Sequence, residues 1–274
     1  MKLPFNSRLL SILLLAFAGV SGCALLIPDS NREKQNPLPP IVGPRDAMEL
    51  EVFIVDRAVG DPLIGDGLWD SLHEVTSITP DLKERLEEQG LRVAMSPSRP
   101  PRSVQALLAL SGGDDPTRRT IYHRVVVPSS QPTLIPITTL ASPIEVALPT
   151  EHGTKVKELR QGVCQLRIQL DKVTEGWASL EVQPVIQHGA EMLRPKATAE
   201  EWLFEQGQQT IMLYDHRFNV ELNRGELIAL GMTGESSNSV GTRFFHGEWN
   251  GVPIERHVFL RLRGMHRITP VRAE

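Results

Sequence analysis

The strongest strand pattern of the β-rich region lies in CQLRIQLDKVTEGWASLEVQPVIQHG, residues 164–189. In its first half, apolar Leu166 and Ile168 alternate with polar residues. A Thr-Glu-Gly turn then leads into a second alternating run that contains Leu180 and Val182. Side chains two residues apart lie on the same face of a β-strand, so this alternation is typical of strands with one buried face. The stretch therefore predicts an antiparallel hairpin packed against a core.

The sequence after this hairpin predicts more strands of the same kind. The runs are QTIMLYD, RFNVELNRGELIALGM, TRFFHGEWNG and IERHVFLRLRGM, and turn residues close each of them. The segment TAEEWLF, residues 198–204, is a brief helical candidate among them. Roughly six to eight strands with so little helix predict a mainly antiparallel β-sandwich or partly open barrel over residues 131–270.

The preceding region, residues 48–130, mixes strands with helices. MELEVFIVDR, LRVAMS and RTIYHRVVVP read as strands, and DGLWDSLHEV, TPDLKERLEEQG and PPRSVQALLAL read as helices. In the second helix, Thr79 is placed to cap the start, Pro80 fits the first turn and Gly90 ends it. We expect a small α/β domain with three strands, which makes the whole chain α+β.

The first 22 residues predict a secretory signal peptide. Lys2 and Arg8 precede an apolar run from Leu9 to Val20, which is shorter than the roughly 20 residues that a membrane-spanning helix needs. A Pro-rich polar segment over residues 27–44 predicts an extended spacer, so residues 23–47 form a linker before the first folded region.

The residues Val20-Ser21-Gly22-Cys23 resemble the lipobox of bacterial lipoproteins. This resemblance implies that Cys23 becomes the lipidated first residue of the mature protein, which is then held to membrane lipid by several acyl chains. An ordinary signal peptide with an incidental Cys23 is the alternative. Ala24 stands where retention at the inner membrane uses Asp, so the resemblance also implies an outer-membrane location facing the periplasm.

Composition excludes some partners. The formal net charge is -4, and no basic block is present, which argues against nucleic acid as a partner. Cys164 is the only cysteine besides Cys23, so no disulfide is expected within the processed chain, and its place in an alternating strand predicts a buried, unreactive thiol.

Motifs for catalysis, metal binding or cofactor binding are missing from the sequence, so we expect a non-enzymatic protein without a cofactor. The alternative is a periplasmic hydrolase or a carbohydrate or small-ligand binding protein that acts at the cell wall. The hydrolase would require Asp215, His216, His246 and His257 to meet across neighbouring strands. A small-ligand module would require a deep apolar cavity in the β-rich domain.

Two tryptophans are candidates for an interaction surface. Trp69 follows the Gly- and Asp-rich loop VGDPLIGDG, and Trp249 lies in the loop HGEWNGVP. Aromatic anchors on loops dominate many binding surfaces, whereas the simpler interpretation places both rings in the core.

The chain also resembles two groups of envelope proteins. Residues 182–186, 225–231 and 258–262 resemble the C-terminal strands of secretins, although the second glycine pair of secretins is reduced to Gly231. Residues 52–57, 60–61, 68–69, 90–93 and 240–245 resemble an uncharacterised group of planctomycete-type envelope lipoproteins. The second resemblance implies an envelope location and a fold. From the anchoring signal and the missing catalytic motifs, we expect a lipid-anchored envelope protein with an assembly, scaffolding or interaction role and a protein partner in the envelope.

Overall fold

The computed structural model describes residues 45–109, 119–140, 143–150, 153–197, 202–234 and 237–268, which are mostly β-strand. The strands, in chain order, are β1 (Arg45–Ala58), β2 (Leu91–Ser96), β3 (Arg119–Pro128), β4 (Thr133–Thr139), β5 (Ile144–Thr150), β6 (Gly153–Leu159), β7 (Val163–Thr174), β8 (Trp177–Ala197), β9 (Trp202–Met212), β10 (Phe218–Asn223), β11 (Leu227–Met232), β12 (His246–Trp249) and β13 (Val252–Ile268). The helices are α1 (Asp66–Trp69), α2 (Pro80–Glu88), α3 (Arg102–Leu108) and α4 (Val240–Phe245), and a 3₁₀ turn covers Tyr214–His216.

The first large sheet, sheet A, joins both halves of the chain. Its strand order is β2-β11-β13-β1-β3, with β12 added to β13. Strand β1 pairs with β13 along its full length, from Arg45 opposite Ile268 to Ala58 opposite Ile254. Residues 43–274 accordingly form one compact unit. The domain boundary expected at residues 130 and 131 falls inside this unit, because the final strand of the chain pairs with the first.

The second large sheet, sheet B, contains the hairpin predicted from residues 164–189. Its order is β10-β8-β7-β4, with β9 also paired to β8. Strands β7 and β8 are antiparallel, and Ile168 lies opposite Val182. The two buried positions therefore share one face of the sheet, as the alternation predicted. A separate two-stranded sheet consists of β5 and β6.

The two large sheets pack face to face over one aliphatic core. Alternate residues of β1, including Leu50 and Val52, join Leu166, Ile168 and Leu180 of sheet B in this core. Each such buried aliphatic side chain contributes about 1.5–3 kcal/mol by leaving water. The mainly antiparallel β-sheet prediction is confirmed, and within the described ranges neither large sheet closes on itself.

The opposite face of sheet A is covered by short helices. Leu68 and Trp69 of α1 and Val104 and Leu107 of α3 pack there against Phe53, Val55, Ala229 and Phe259 of the sheet. Within the described ranges, none of the helices is long and apolar enough to cross a membrane. The helices thus bury part of this face as well, whereas Tyr122 and Val126 of β3, on the same face, are each 46% exposed.

Three local predictions from the sequence are wrong. The segment read as helical in TAEEWLF forms part of β9 from Trp202 onward, because pairing with β8 overrides the helical preference of Ala and Glu. The helix predicted over DGLWDSLHEV ends at Trp69. Residues 240–245, read partly as strand, form α4, whose start is capped by Ser239 accepting a hydrogen bond from the Thr242 amide.

Two glycines allow α4 to approach the turn after α2. Gly90 has φ +73°, a conformation that favours glycine, and its carbonyl accepts from the Thr233 amide. The Gly241 amide donates to Gln89 at 2.8 Å. A Cβ on Gly241 would collide with the Gly90 backbone. Residues 90–93 and 240–245, two segments that carry the lipoprotein resemblance, therefore meet in the fold.

Candidate functional site

The candidate site is organised around Trp69, at the end of α1. Trp69 is only 6% exposed, and its ring contacts side chains from two strands of sheet A. The Arg92 guanidinium stacks over it at 4.7 Å, and the His257 ring lies 5.6 Å from it. Gly231 on β11 leaves room for this arrangement, because an added Cβ would lie 2.6 Å from the Trp69 ring. Trp69 thus joins α1 to sheet A.

Charged groups lie beside the tryptophan on the same face of sheet A. His257 is fully buried on β13, and its Nε2 lies 3.5 Å from the Glu255 carboxylate. Glu255 faces Arg57 on β1 in the strand register, and the buried Arg57 guanidinium lies 3.5 Å from the Asp61 carboxylate. Within the described part of the chain, neither ring nitrogen of His257 has a hydrogen-bond partner.

Burial shifts both titratable groups of this pair away from their charged forms. Desolvation raises the pKa of Glu255 from 4.5 to about 7. Desolvation also lowers the pKa of His257 from 6.5 to about 4. At mildly acidic pH, both groups are therefore uncharged in the folded protein, whereas both would be charged in the unfolded chain. Buried groups with pKa values shifted this far mark candidate functional sites.

We expect Glu255→Gln to stabilise the protein only at higher pH. Burial raises the pKa of Glu255 in the folded protein. The contribution of Glu255 to the free energy of unfolding is therefore fully present below about pH 4.5 and is lost as pH rises towards about 7. The neutral amide avoids this loss, so the free energy of unfolding should exceed the wild-type value by about 2 kcal/mol at pH 8 and equal it at pH 4. Urea denaturation at both pH values measures this, and an equal effect at the two would contradict it.

A cleft of about 420 Å³ opens next to Trp69, between α2 and the edge strand β2. Leu86 and Val75 contribute apolar walls, and Lys83, which pairs with Glu74, contributes charge. Arg92 reaches the cleft from the sheet. This volume lies within the range of about 300–1,000 Å³ that ligand-binding clefts occupy. Mixed charge and apolar walls suit a polypeptide segment better than a purely apolar ligand.

The cleft exposes backbone groups of β2. Met95 and His73 exchange two backbone hydrogen bonds of 2.8 Å on the outer side of this edge strand. Backbone groups of alternate residues point to the same side of a strand, so the N–H and C=O of Val93 point outward as well. Val93 lines the cleft, and none of the described strands pairs with β2 on that side. An extended backbone could complete these hydrogen bonds.

The second candidate tryptophan, Trp249, lies elsewhere. It belongs to β12, and the Arg119 guanidinium stacks over its ring at 3.9 Å. Its Nε1 is buried and has no hydrogen-bond partner among the residues placed by the structure. Trp249 and Trp69 contact different residues, so the structure does not bring the two candidates into one surface. Cys23, the lipid-attachment candidate, lies outside the described residues.

The residues required by the hydrolase alternative are not brought together. Asp215 and His216 lie in the 3₁₀ turn that follows β9 of sheet B, whereas His246 and His257 lie on β12 and β13 of sheet A. In the described ranges, no group of three or more His, Cys, Asp or Glu side chains is placed to hold a metal ion. Cys164 is buried as predicted, and burial raises the pKa of its thiol.

Neither the Glu255–His257 pair nor the open edge at Val93 is among the sites predicted from the sequence. The pair carried a readable signal, because residues two apart in the alternating run IERHVFL share a strand face. The open edge at Val93 gave no signal in the sequence, because long-range pairing determines which strand lies at the edge of a sheet.

Comparisons with known proteins add little. Neither a family model nor a curated protein matches the chain. Among solved structures, the chain is similar to one from the Klebsiella pneumoniae type II secretion system outer membrane complex with PulD, PulS and the PulC HR domain, at 11% identity and a TM-score of 0.22. The match covers 84% of this chain and 41% of that chain.

Proposed function

We propose that the protein is a lipid-anchored component of the cell envelope that docks a partner protein and has no catalytic role of its own. Cys23 carries the anchor at the outer membrane, facing the periplasm, and the Pro-rich composition of residues 27–44 predicts a spacer before the folded unit. Several acyl chains hold such a protein for practical purposes permanently, since each buried methylene contributes about 0.8 kcal/mol.

The open edge of β2 is the observation that carries the docking role. Unpaired strand edges are normally covered or blunted in soluble proteins, because they pair with other chains. Here His73 covers Met95 but leaves Val93 facing a cleft. The occupant that fits is an extended segment of an envelope protein. It would add a strand to β2 and place side chains against Trp69 and Leu86.

Exposed apolar residues on the β8–β9 hairpin also favour an interaction role. Leu193 is 71% exposed and Phe204 is 72% exposed. In the strand register, Leu193 lies opposite Gln206, and Pro195 lies opposite Phe204, so the apolar side chains share one hairpin face. Such patches on soluble proteins are typical of surfaces that contact another molecule.

A substitution that removes one outward backbone donor tests the docking role. We expect Val93→Pro to reduce the yield of partner crosslinked to the full-length protein in intact envelopes by about tenfold, because proline lacks the N–H that an added strand would use. Pairing of β2 with β11 is spared, because the Val93 N–H points away from β11.

Val93→Ala is the matched control, since it shortens the side chain but keeps the amide, and it should capture the partner at nearly the wild-type yield. Thermal unfolding of both variants checks that each is folded. Equal capture of the same partner by Val93→Pro and wild type would refute docking at β2. Repeated empty captures with the wild-type protein would refute the partner itself.

A further inference from the structure

The outer face of sheet B carries a polar cavity of about 340 Å³ that the docking role does not use. Its floor consists of alternate residues of β7 and β8, the positions that face away from the sandwich core. The residues that define this cavity are Arg167, Gln169, Glu181, Gln183, Tyr214 and Asn219. We call it the outer-face cavity. We propose that it binds a neutral saccharide.

A buried amide without a partner points to a ligand. Gln183 is 1% exposed, yet its Nε2 has no hydrogen-bond partner among the described residues. Leaving a buried donor unsatisfied costs about 1–3 kcal/mol, so such a group normally has a partner, and a bound ligand can supply one. Because Gln183 lines the outer-face cavity, an acceptor from a ligand in this cavity can satisfy it.

The charges of the cavity cancel, which argues against a charged ligand. Arg167 donates to Glu181 at 3.0 Å, and Arg217 approaches the other oxygen of the same carboxylate at 3.5 Å. Arg167 also donates to the Gln169 side-chain oxygen at 2.6 Å. With Asp171 included, the lining holds two arginines and two carboxylates. No excess charge is left to attract an anion or a cation.

The remaining groups suit hydroxyls. Gln169 and Asn219 offer side-chain amides, which both donate and accept, as sugar hydroxyls do. Tyr214 stands at the rim with its ring 64% exposed. An exposed aromatic ring can pack against the apolar C–H face of a pyranose, while the amides bond its hydroxyls.

The centre of this surface offers no free backbone to an added peptide strand. There, Glu181 of β8 is paired with Gln169 of β7 on one side and with Asn219 of β10 on the other. Recognition at this position must therefore use side chains. This property separates the outer-face cavity from the open edge of β2.

The test titrates the purified full chain, held in a non-glycosidic detergent, with cellotriose, maltotriose and N-acetylated chitotriose. At about 10 mM sugar, a site with a millimolar Kd is mostly occupied, so at least one trisaccharide should shift the side-chain amide NMR signals of Gln183 and Gln169. Absence of any shift with all three sugars would overturn the proposal.

Two variants and one control make the result specific. Gln183→Leu should weaken binding of the active sugar by about tenfold while leaving the melting temperature equal or higher, because it removes an unsatisfied buried group. Tyr214→Ala should weaken binding by a similar factor, and Phe204→Ala, which removes an equally exposed ring from β9, should not. Wild-type affinity in Gln183→Leu would also overturn the proposal.

Discussion

Replacing Arg256 by Met should lower the free energy of unfolding by about 3–5 kcal/mol, because the change leaves a buried carboxylate without its main partner. Asp56 is fully buried, and Arg256 holds it with two hydrogen bonds, from Nε at 2.6 Å and from Nη2 at 2.9 Å. Arg119 lies 3.5 Å from the same carboxylate and replaces only part of this interaction. Urea denaturation followed by tryptophan fluorescence measures the loss.

The same arginine also joins the two sheets. Its Nη1 donates to the Ile137 carbonyl and to the Thr138 hydroxyl, both at 2.6 Å, on β4 of sheet B. Thr138 in turn donates to the Phe244 carbonyl on α4 at 2.6 Å. The network therefore fixes sheet A, sheet B and α4 to one another, and its loss should reduce the cooperativity of unfolding as well as the stability.

The control for this prediction removes both charges. Because the cost of Arg256→Met comes mainly from the stranded Asp56 carboxylate, adding Asp56→Asn should recover at least about half of the lost stability. If Asp56→Asn lowers the stability of Arg256→Met by as much as it lowers that of the wild type, the two residues are not coupled. A single variant within about 0.5 kcal/mol of wild type would contradict the account of the network.

Replacing Cys23 by Ser should release the protein from the membrane. With the thiol absent, no acyl chain can be attached, and we expect the membrane-bound share to fall from nearly all of the protein to less than about a tenth. Fractionation of envelopes followed by immunoblotting measures this share.

Cys164→Ser provides the matched control, since it removes the other cysteine, which is buried in β7. This variant should remain in the membrane fraction like the wild type. Membrane retention of Cys23→Ser at the wild-type level would refute anchoring through this residue.

The parts of the fold that could be predicted from the sequence are those set by local periodicity. The β7–β8 hairpin follows from the alternation of residues such as Leu166 and Ile168 with polar residues, and α2 follows from its first-turn proline and its closing glycine. Thr79 lies at the N-cap position of α2 but makes no capping hydrogen bond with its side chain. Both signals lie within about a dozen neighbouring residues, the range over which period and propensity apply.

The domain boundary could not be predicted because it depends on pairing across the whole chain. Strand β1 begins at Arg45 and pairs with β13, which ends at Ile268. No local pattern in MELEVFIVDR specifies a partner about two hundred residues away, since register and partner choice follow from the assembled sheet. The β9 error has the same origin, because Trp202 and Phe204 take their conformation from β8.

Only one residue of the candidate site was predicted from the sequence, because its other residues come together through long-range pairing. Trp69 was identified from its loop, but its neighbours Arg92 and His257 come from two different strands and meet only in sheet A. Gln183 gave no signal of its own, because an alternating polar residue on β8 is indistinguishable in sequence from an ordinary solvated one. Its orphaned Nε2 is a property of the packed structure.

The proposed anchor requires that the mature protein begin at a lipidated Cys23. Mass spectrometry of the N-terminal peptide, from protein extracted from native membranes, tests this. We expect a peptide that starts at Cys23 and carries a diacylglyceryl group on sulfur together with an acyl group on its amino nitrogen. A peptide that still begins at Met1, or one with an unmodified Cys23, would contradict it.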